Sequence, residues 1–207
     1  MKGKKLILAL FTLLAIIQIA VPVWMIVHRE TTLKTGRQFK FRTAPVDPYD
    51  AFRGRYVAIG IENNAAIDYG APQFKPGQKE FAGSRELKPG QRVYAHITVD
   101  AKGFASFSKV TTNRPEGNAY IQTRVNFVMN EPAGSKVYFR LPFDRYYMEE
   151  KTAPAAESAY RRYSMNPERS NAYITVRVKD GFAVLEELYI DGKPIRDIVR
   201  ESRRSGG

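Results

Sequence analysis

The sequence predicts a mainly β protein of antiparallel hairpins, with one N-terminal transmembrane helix and one short helix near residues 154–165. A charge-free apolar run, residues 6–27, predicts the transmembrane helix. Most segments after it alternate apolar and polar residues with a period of two, which is typical of half-buried, mostly antiparallel strands. Turn sequences such as Asp180-Gly181 separate these segments and favour hairpins.

The apolar run is long enough to cross a membrane. From Leu6 to Val27 a helix would extend about 33 Å, against a hydrocarbon core of about 30 Å. Lys2, Lys4 and Lys5 precede the run, and basic residues in such a position stay in the cytoplasm. A cleavable signal peptide is the alternative, but the run is longer than a typical signal core and lacks the small-residue cleavage pattern. We therefore predict a retained anchor that contacts the lipid bilayer and leaves the rest of the chain outside the cytoplasm.

Composition divides the chain into five parts. They are a cytoplasmic basic N-terminus (1–5), the anchor (6–27), a polar stalk (28–37), an extracytoplasmic β-rich domain (38–195) and a flexible basic tail (196–207). The net charge of +12 is concentrated in the membrane-proximal part and the tail, whereas the domain is nearly balanced. A balanced domain offers no basic stripe for phosphate groups, so we predict no nucleic-acid partner. The chain has no cysteine, which excludes disulfides, thiolate nucleophiles and cysteine metal ligands.

Period-two alternation predicts the strands of the domain, starting with Phe39 and Phe41 between basic residues. The other alternating segments are residues 57–61, 93–99, 121–127, 137–141, 174–178 and 182–190. Asp180-Gly181 predicts a type I′ turn, because both central residues of that turn need positive φ. Asp100–Gly103 predicts the turn of an earlier hairpin. The short helix is predicted by Ala and Tyr residues that recur at helical spacing after a proline.

The chain contains a weak internal repeat. Residues 94–105 and 173–183 share the order Tyr, Ile-Thr-Val and Gly-Phe-Ala. A segment with arginine and tyrosine precedes each of them, residues 52–56 in one case and 143–147 in the other. Two related β units packed together would explain the repeat and would place the tyrosines of the two segments at equivalent positions. Hairpins of similar composition also resemble one another without being related, and both interpretations stay open.

The most distinctive stretch is residues 47–59. It opens with Asp47-Pro48, which favours a turn, and Asp50 follows shortly after. Arg53-Gly54 then leads into a strand, where a glycine permits close approach of another backbone.

Gly54, Tyr56 and Ile59 have the spacing of a Gly-Asp-Tyr-x-x-Leu-x-Tyr motif. The chain resembles, over most of its length, the GDYXXLXY family of membrane-anchored bacterial proteins. Only Gly54 and Tyr56 match the motif strictly. Arg55, Ile59 and Ile61 stand where the motif has Asp, Leu and the last Tyr. The resemblance implies an inner-membrane protein with a periplasmic main domain and a role in the bacterial envelope, but no particular reaction.

Residues suited to catalysis are sparse. The chain has two histidines, and His28 at the membrane edge and His96 on a strand are too distant for a metal site or a triad. No Ser–Lys arrangement like that of membrane-tethered signal peptidases follows the anchor. Glu149-Glu150 are adjacent strand residues that point to opposite faces, which disfavours a shared proton or a bound Ca²⁺. We predict no cofactor and no metal ion.

We therefore expect a non-catalytic envelope module that binds another membrane or envelope protein. The alternative is a membrane-anchored hydrolase with a site around Arg53, Tyr56 and Glu149. A deep pocket at that place would favour the hydrolase, whereas a flat surface would favour the module. The residues of the motif or of a candidate interaction site are Asp47, Asp50, Arg53, Gly54, Tyr56, Ile59, Tyr146 and Glu149.

Overall fold

The structure is a computed structural model that describes residues 2–44, 56–61, 65–68, 87–117, 119–131, 134–147, 156, 158, 160 and 171–205. All statements below concern these residues. Residues 45–55 and most of residues 62–86 lie outside them.

Helix α1 runs from Lys2 to Thr35, and it is long and apolar enough to span a membrane. Its apolar run is exposed, so the described part of the domain does not cover it. The helix continues to Thr35, so most of the segment predicted as a stalk, residues 28–37, is helical. No glycine or proline interrupts the polar segment before Gly36, so nothing in it breaks the helix.

Strands make up most of the described residues after α1. They are β1 Arg37–Ala44, β2 Tyr56–Ala58, β3 Gly60–Ile61, β4 Ala65–Asp68, β5 Arg92–Val99, β6 Ala105–Thr111, β7 Tyr120–Glu131, β8 Gly134–Phe139, β9 Arg145–Tyr147, β10 Ala172–Lys179, β11 Phe182–Ile190 and β12 Lys193–Pro194. The mainly β prediction is confirmed. Period-two alternation located strands such as β5 and β6, in which buried positions largely alternate with more exposed ones.

An open antiparallel sheet forms the first unit, in the order β12-β11-β10-β1-β3. Strand β10 lies at its centre, and its residues Ile174, Val176 and Val178 are buried. The turn between β10 and β11 is Asp180-Gly181, with φ of 53° and 82°. Positive φ at both residues is what the predicted type I′ turn requires.

A closed barrel forms the second unit, in the order β4-β6-β5-β7-β8. Strand β4 closes it by pairing with β8 and, in parallel, with β6, which is an exception to the antiparallel prediction. The expected turn between β5 and β6 is confirmed. Asp100 accepts hydrogen bonds there from the backbone N–H groups of Lys102 and Phe104, at 2.9 and 2.8 Å.

Sheet and barrel share one hydrophobic core. Phe41 of β1 stacks on Phe107 of β6, with 5.3 Å between ring centroids. Phe107 in turn meets Phe139 of β8 edge-on at 4.9 Å, and Phe41 also contacts Phe143 at 5.6 Å. This continuous row of rings joins the two units, as offset and edge-on aromatic pairs commonly do.

The C-terminal end is a helix, α2 Ile195–Ser205, which corrects the flexible tail expected for residues 196–207. The turn Asp191-Gly192, with positive φ at both residues, returns the chain from β11 to β12, and α2 follows directly. Ile195 and Val199, one helical turn apart, are buried in the core. Their burial stabilises a helix whose remaining residues are mostly charged.

Of the short helix expected near residues 154–165, the structure describes Ala156, Ser158 and Tyr160. All three are helical, and Ala156 and Tyr160 are buried. The other residues of that segment lie outside the described ranges.

The two parts of the internal repeat have different neighbours. Residues 94–105 belong to β5 and β6 in the closed barrel, whereas residues 173–183 belong to β10 and β11 in the open sheet. Strand β5 pairs with β6 and β7, and β10 pairs with β11 and β1. The protein therefore has two β units, and each contains one of the two similar hairpins.

Candidate functional site

The strand that carries the motif pairs with the second arginine–tyrosine segment. Strands β2 and β9 form a two-stranded antiparallel ribbon. Its register places Tyr56 opposite Tyr147 and Val57 opposite Tyr146. The two segments that the repeat made equivalent are thus direct partners in one ribbon.

The same stretch then crosses to the sheet. The backbone N–H of Ile59 donates a hydrogen bond to the carbonyl oxygen of Asp144 at 2.9 Å, which continues the ribbon by one residue. Ile61 of β3 lies opposite Thr43 at the edge of the sheet. Ile59 and Ile61 are both buried in the core. The Leu-like position of the motif therefore packs the junction between ribbon and sheet, so Ile59 serves the core and does not lie on an interaction surface.

Tyr146 fixes the ribbon to the sheet and to α2. Its ring is buried, and its hydroxyl donates a hydrogen bond to Oε1 of Glu187 on β11. The Nε of Arg196 on α2 donates to the same hydroxyl at 2.7 Å and lies 3.3 Å from Oε2 of Glu187. The backbone N–H of Leu188 also donates to Glu187, at 3.1 Å. Strands β9 and β11 and helix α2 thus meet in one polar cluster, the Tyr146–Glu187–Arg196 cluster.

The electrostatics of this cluster keep the phenol protonated. Burial raises the pKa of Tyr146 well above its ordinary value, and the hydrogen bond to Glu187 raises it further. Arg196 lowers the pKa but does not cancel the other two effects. A phenol in this state donates a hydrogen bond and is a poor base or nucleophile near neutral pH. The geometry therefore assigns Tyr146 a structural role.

Replacing Tyr146 with phenylalanine is expected to lower the free energy of unfolding at pH 7 by about 1–2 kcal/mol, because Glu187 loses a hydrogen bond in a partly buried place. The Tyr146 hydroxyl stabilises the folded chain fully at pH values below the ordinary tyrosine pKa of 10.0. This contribution to the free energy of unfolding should decrease as the pH rises above that value, since the unfolded phenol ionises there and the folded one does not. Urea unfolding between pH 7 and 11, followed by circular dichroism, measures both effects.

The matched control is Tyr147→Phe, one residue away, whose side chain is 61% exposed. It should change stability far less, because most of this side chain is in contact with solvent. If the curves for Tyr146→Phe and the native chain stayed parallel up to pH 11, the proposed coupling of Tyr146 to Glu187 would be wrong.

The ribbon exposes Tyr147 on one side and buries Tyr146 on the other. Successive side chains of a strand point to opposite faces, which explains this contrast. An exposed tyrosine beside the motif strand is a feature of interaction surfaces, because its ring provides contact area and its hydroxyl a polar group.

Several predicted site residues lie outside the described ranges. These are Asp47, Asp50, Arg53, Gly54 and Glu149. For Tyr56 the structure describes the backbone alone. The interaction roles of these six residues, and the hydrolase site around Arg53, Tyr56 and Glu149, remain predictions.

The histidines lie in different surroundings. The Nε2 atom of His96 lies 3.1 Å from the hydroxyl of Thr111, and burial, followed by the charge of Lys109, lowers the pKa of His96. His28 contacts the rings of Trp24 and Phe182. Within the described ranges, no group of three or more histidine, aspartate and glutamate side chains is arranged to hold a metal ion.

The sequence analysis missed Glu187 and Arg196. Glu187 belongs to a predicted strand, but nothing in a strand pattern says which distant side chain it will meet. Arg196 lies in the part that was expected to be a flexible tail. The spacing of Ile195 and Val199 after Asp191-Gly192 was the available signal for a docked helix there.

The model of the GDYXXLXY protein family matches residues 18–188, from within α1 to β11. The match covers most of the chain, and the chain belongs to this family. No curated protein and no solved structure matches the chain. The family assignment that Gly54 and Tyr56 suggested is thereby confirmed.

Proposed function

We propose that this protein is a membrane-anchored, non-catalytic module that binds another membrane or envelope protein through the exposed side of the β2–β9 ribbon. The supporting observation is the contrast between Tyr146 and Tyr147. The Tyr146–Glu187–Arg196 cluster holds the ribbon rigidly, and Tyr147 extends from it into solvent. A rigid support with an exposed aromatic side chain reduces the entropy lost on binding.

The proposed location is the inner membrane of a bacterium, with the N-terminus inside and the β units in the periplasm. Lys4 and Lys5, before the apolar run of α1, support this orientation. The apolar helix and the family support the anchor. The partner is then a protein that shares the membrane or the periplasm, within reach of a domain that starts directly at the end of α1.

The test is photo-crosslinking in intact cells. A photoreactive phenylalanine analogue replaces Tyr147 in the full-length chain, and the control places the same analogue at Val99 on the barrel, which is 48% exposed. We expect one discrete crosslinked protein from position 147 and none from position 99. The substitution Tyr147→Ser should also abolish co-purification of that protein, while Val99→Ser should leave it unchanged.

Equal crosslinking from both positions would contradict the assigned surface. A hydrolytic activity of the purified chain that is lost in Glu149→Gln, with partner capture unaffected, would favour the hydrolase instead.

A further inference from the structure

A row of rings joins the C-terminal part of α1 to the turn of the β10–β11 hairpin. Trp24 stacks on His28, one helical turn later, with 5.4 Å between ring centroids. The ring of His28 lies 4.6 Å from that of Phe182. Phe182 is the first residue of β11, directly after Asp180-Gly181, and it is 41% exposed. The hairpin turn therefore lies beside the last apolar turn of the helix.

Further contacts hold the hairpin in this place. Thr32 and Gly36 are buried, and the backbone of Gly36 packs closely against that of Val178. The Nζ of Lys179 donates to the hydroxyl of Thr35 at 2.8 Å, and Arg177 donates to the carbonyl oxygen of Gly36 at 3.2 Å. The hairpin cannot leave the end of α1 without breaking these contacts.

The position of His28 along α1 indicates how deep in the bilayer the hairpin turn lies. His28 is the first residue after the apolar run 6–27. The headgroup layer on each side of a bilayer is about 5–8 Å thick. With the apolar run in the hydrocarbon core, a ring in contact with His28 lies within that layer or at its inner boundary.

The charges around the turn suit lipid headgroups. Arg29 and Lys34 are exposed on α1, and Lys179 lies next to the turn. The acids nearby are Glu30 and Asp180, and Asp180 already forms an ion pair of 3.2 Å. The surplus of cations favours phosphate groups of lipids.

We propose that the β10–β11 turn is a second membrane contact, in which Phe182 inserts at the boundary between headgroups and acyl chains of the leaflet where α1 leaves the bilayer. Aromatic side chains favour this boundary, and the neighbouring cations bind the lipid phosphates. The proposal rests on the membrane anchoring in the proposed function. Two contacts with one leaflet fix the orientation of the β units, so the β2–β9 ribbon faces one constant direction on the membrane.

The chain has one tryptophan, which makes a fluorescence test direct. The double variant Trp24→Phe with Phe182→Trp places a single reporter at the turn. The matched control, Trp24→Phe with Phe127→Trp, places it at a phenylalanine of similar exposure, 43%, on the barrel. Both full-length proteins, and the native chain, are reconstituted into phospholipid vesicles with brominated acyl chains, and water-soluble acrylamide is the opposing quencher.

The reporter at position 182 should be quenched by brominated lipid about as strongly as native Trp24 and should resist acrylamide. The reporter at position 127 should show the reverse. If position 182 behaves like position 127 while Trp24 is quenched by lipid, the second contact is wrong and the anchor stands. If Trp24 itself is not quenched by lipid, both the anchor and the second contact are wrong.

A second measurement keeps the test independent of the tryptophan variants. Because the chain has no cysteine, Phe182→Cys and Phe127→Cys each accept one nitroxide label. The label at position 182 should collide more with oxygen, which concentrates in the bilayer, than with a water-soluble nickel chelate. The label at position 127 should do the opposite, and equal behaviour of the two would overturn the proposal.

Discussion

Replacing Gly36 with alanine is expected to lower the free energy of unfolding by about 3 kcal/mol. A Cβ atom at this position would lie 2.4 Å from the carbonyl oxygen of Thr32, and 3.1 and 3.2 Å from the backbone oxygen and nitrogen of Val178. These are backbone atoms, so no rotation of a side chain can relieve the overlap. The last turn of α1 must distort to relieve the overlap with Thr32, and it must also shift away from β10, which weakens the bonds from Arg177 and Lys179 that join them.

The measurement is urea unfolding of the full chain in detergent micelles, followed by the circular dichroism of the β strands. The control is Gly3→Ala in the same helix, where an added Cβ meets nothing within 4 Å. That variant should be as stable as the native chain. If the two variants proved equally stable, the close junction between α1 and β10 would be wrong, and α1 would be joined to the domain by a loose stalk after all.

Most of the segment predicted as a stalk is helical and its end contacts β10, which composition alone does not show. Composition marks a segment as polar, but it does not say whether one of its residues is buried against another part of the chain. Thr32 is buried, its hydroxyl donates to the carbonyl oxygen of His28 at 3.0 Å, and the neighbouring hydroxyls form similar bonds. A threonine that satisfies its hydroxyl within the helix can be buried, and a polar segment can thus extend a membrane helix.

Alternation and turn residues in the sequence predicted those elements whose structure depends on residues close in sequence. Strand β1 and the β10–β11 hairpin follow from alternation and from Asp180-Gly181, because both depend on neighbours in sequence. The pairing of β2 with β9 joins residues about ninety positions apart, and loop-closing contacts of this kind leave no local trace. The closure of the barrel by β4 is of the same type.

The candidate site divides in the same way. Tyr146 and Ile59 were found as residues of distinctive segments, yet their burial and partners depend on strands and a helix elsewhere in the chain. Glu187 and Arg196 complete the cluster at Tyr146 from two other elements. A residue list from one sequence can therefore point to the right segment, but it does not say which of its residues, such as Ile59, are buried.

Replacing Phe41 with alanine is expected to have the largest effect, a loss of about 3–5 kcal/mol in the free energy of unfolding. Phe41 is 1% exposed, and its ring contacts those of Phe107 in the barrel and Phe143 beside the ribbon. The truncation leaves a cavity at the place where sheet, barrel and ribbon meet. These parts are stiff strands that pair elsewhere, so they cannot collapse into the space.

The matched control is Phe127→Ala, the same truncation at a side chain that is 43% exposed and stacks on Tyr138 at 4.4 Å. It should cost about 1 kcal/mol or less, since it opens no cavity and loses one aromatic pair. Urea unfolding should give one transition for the native chain and for both variants, shifted strongly to lower urea in Phe41→Ala alone. A Phe41→Ala protein with two separate transitions would mean that sheet and barrel fold independently, and a shift no larger than that of Phe127→Ala would mean that the core they share contributes little to stability.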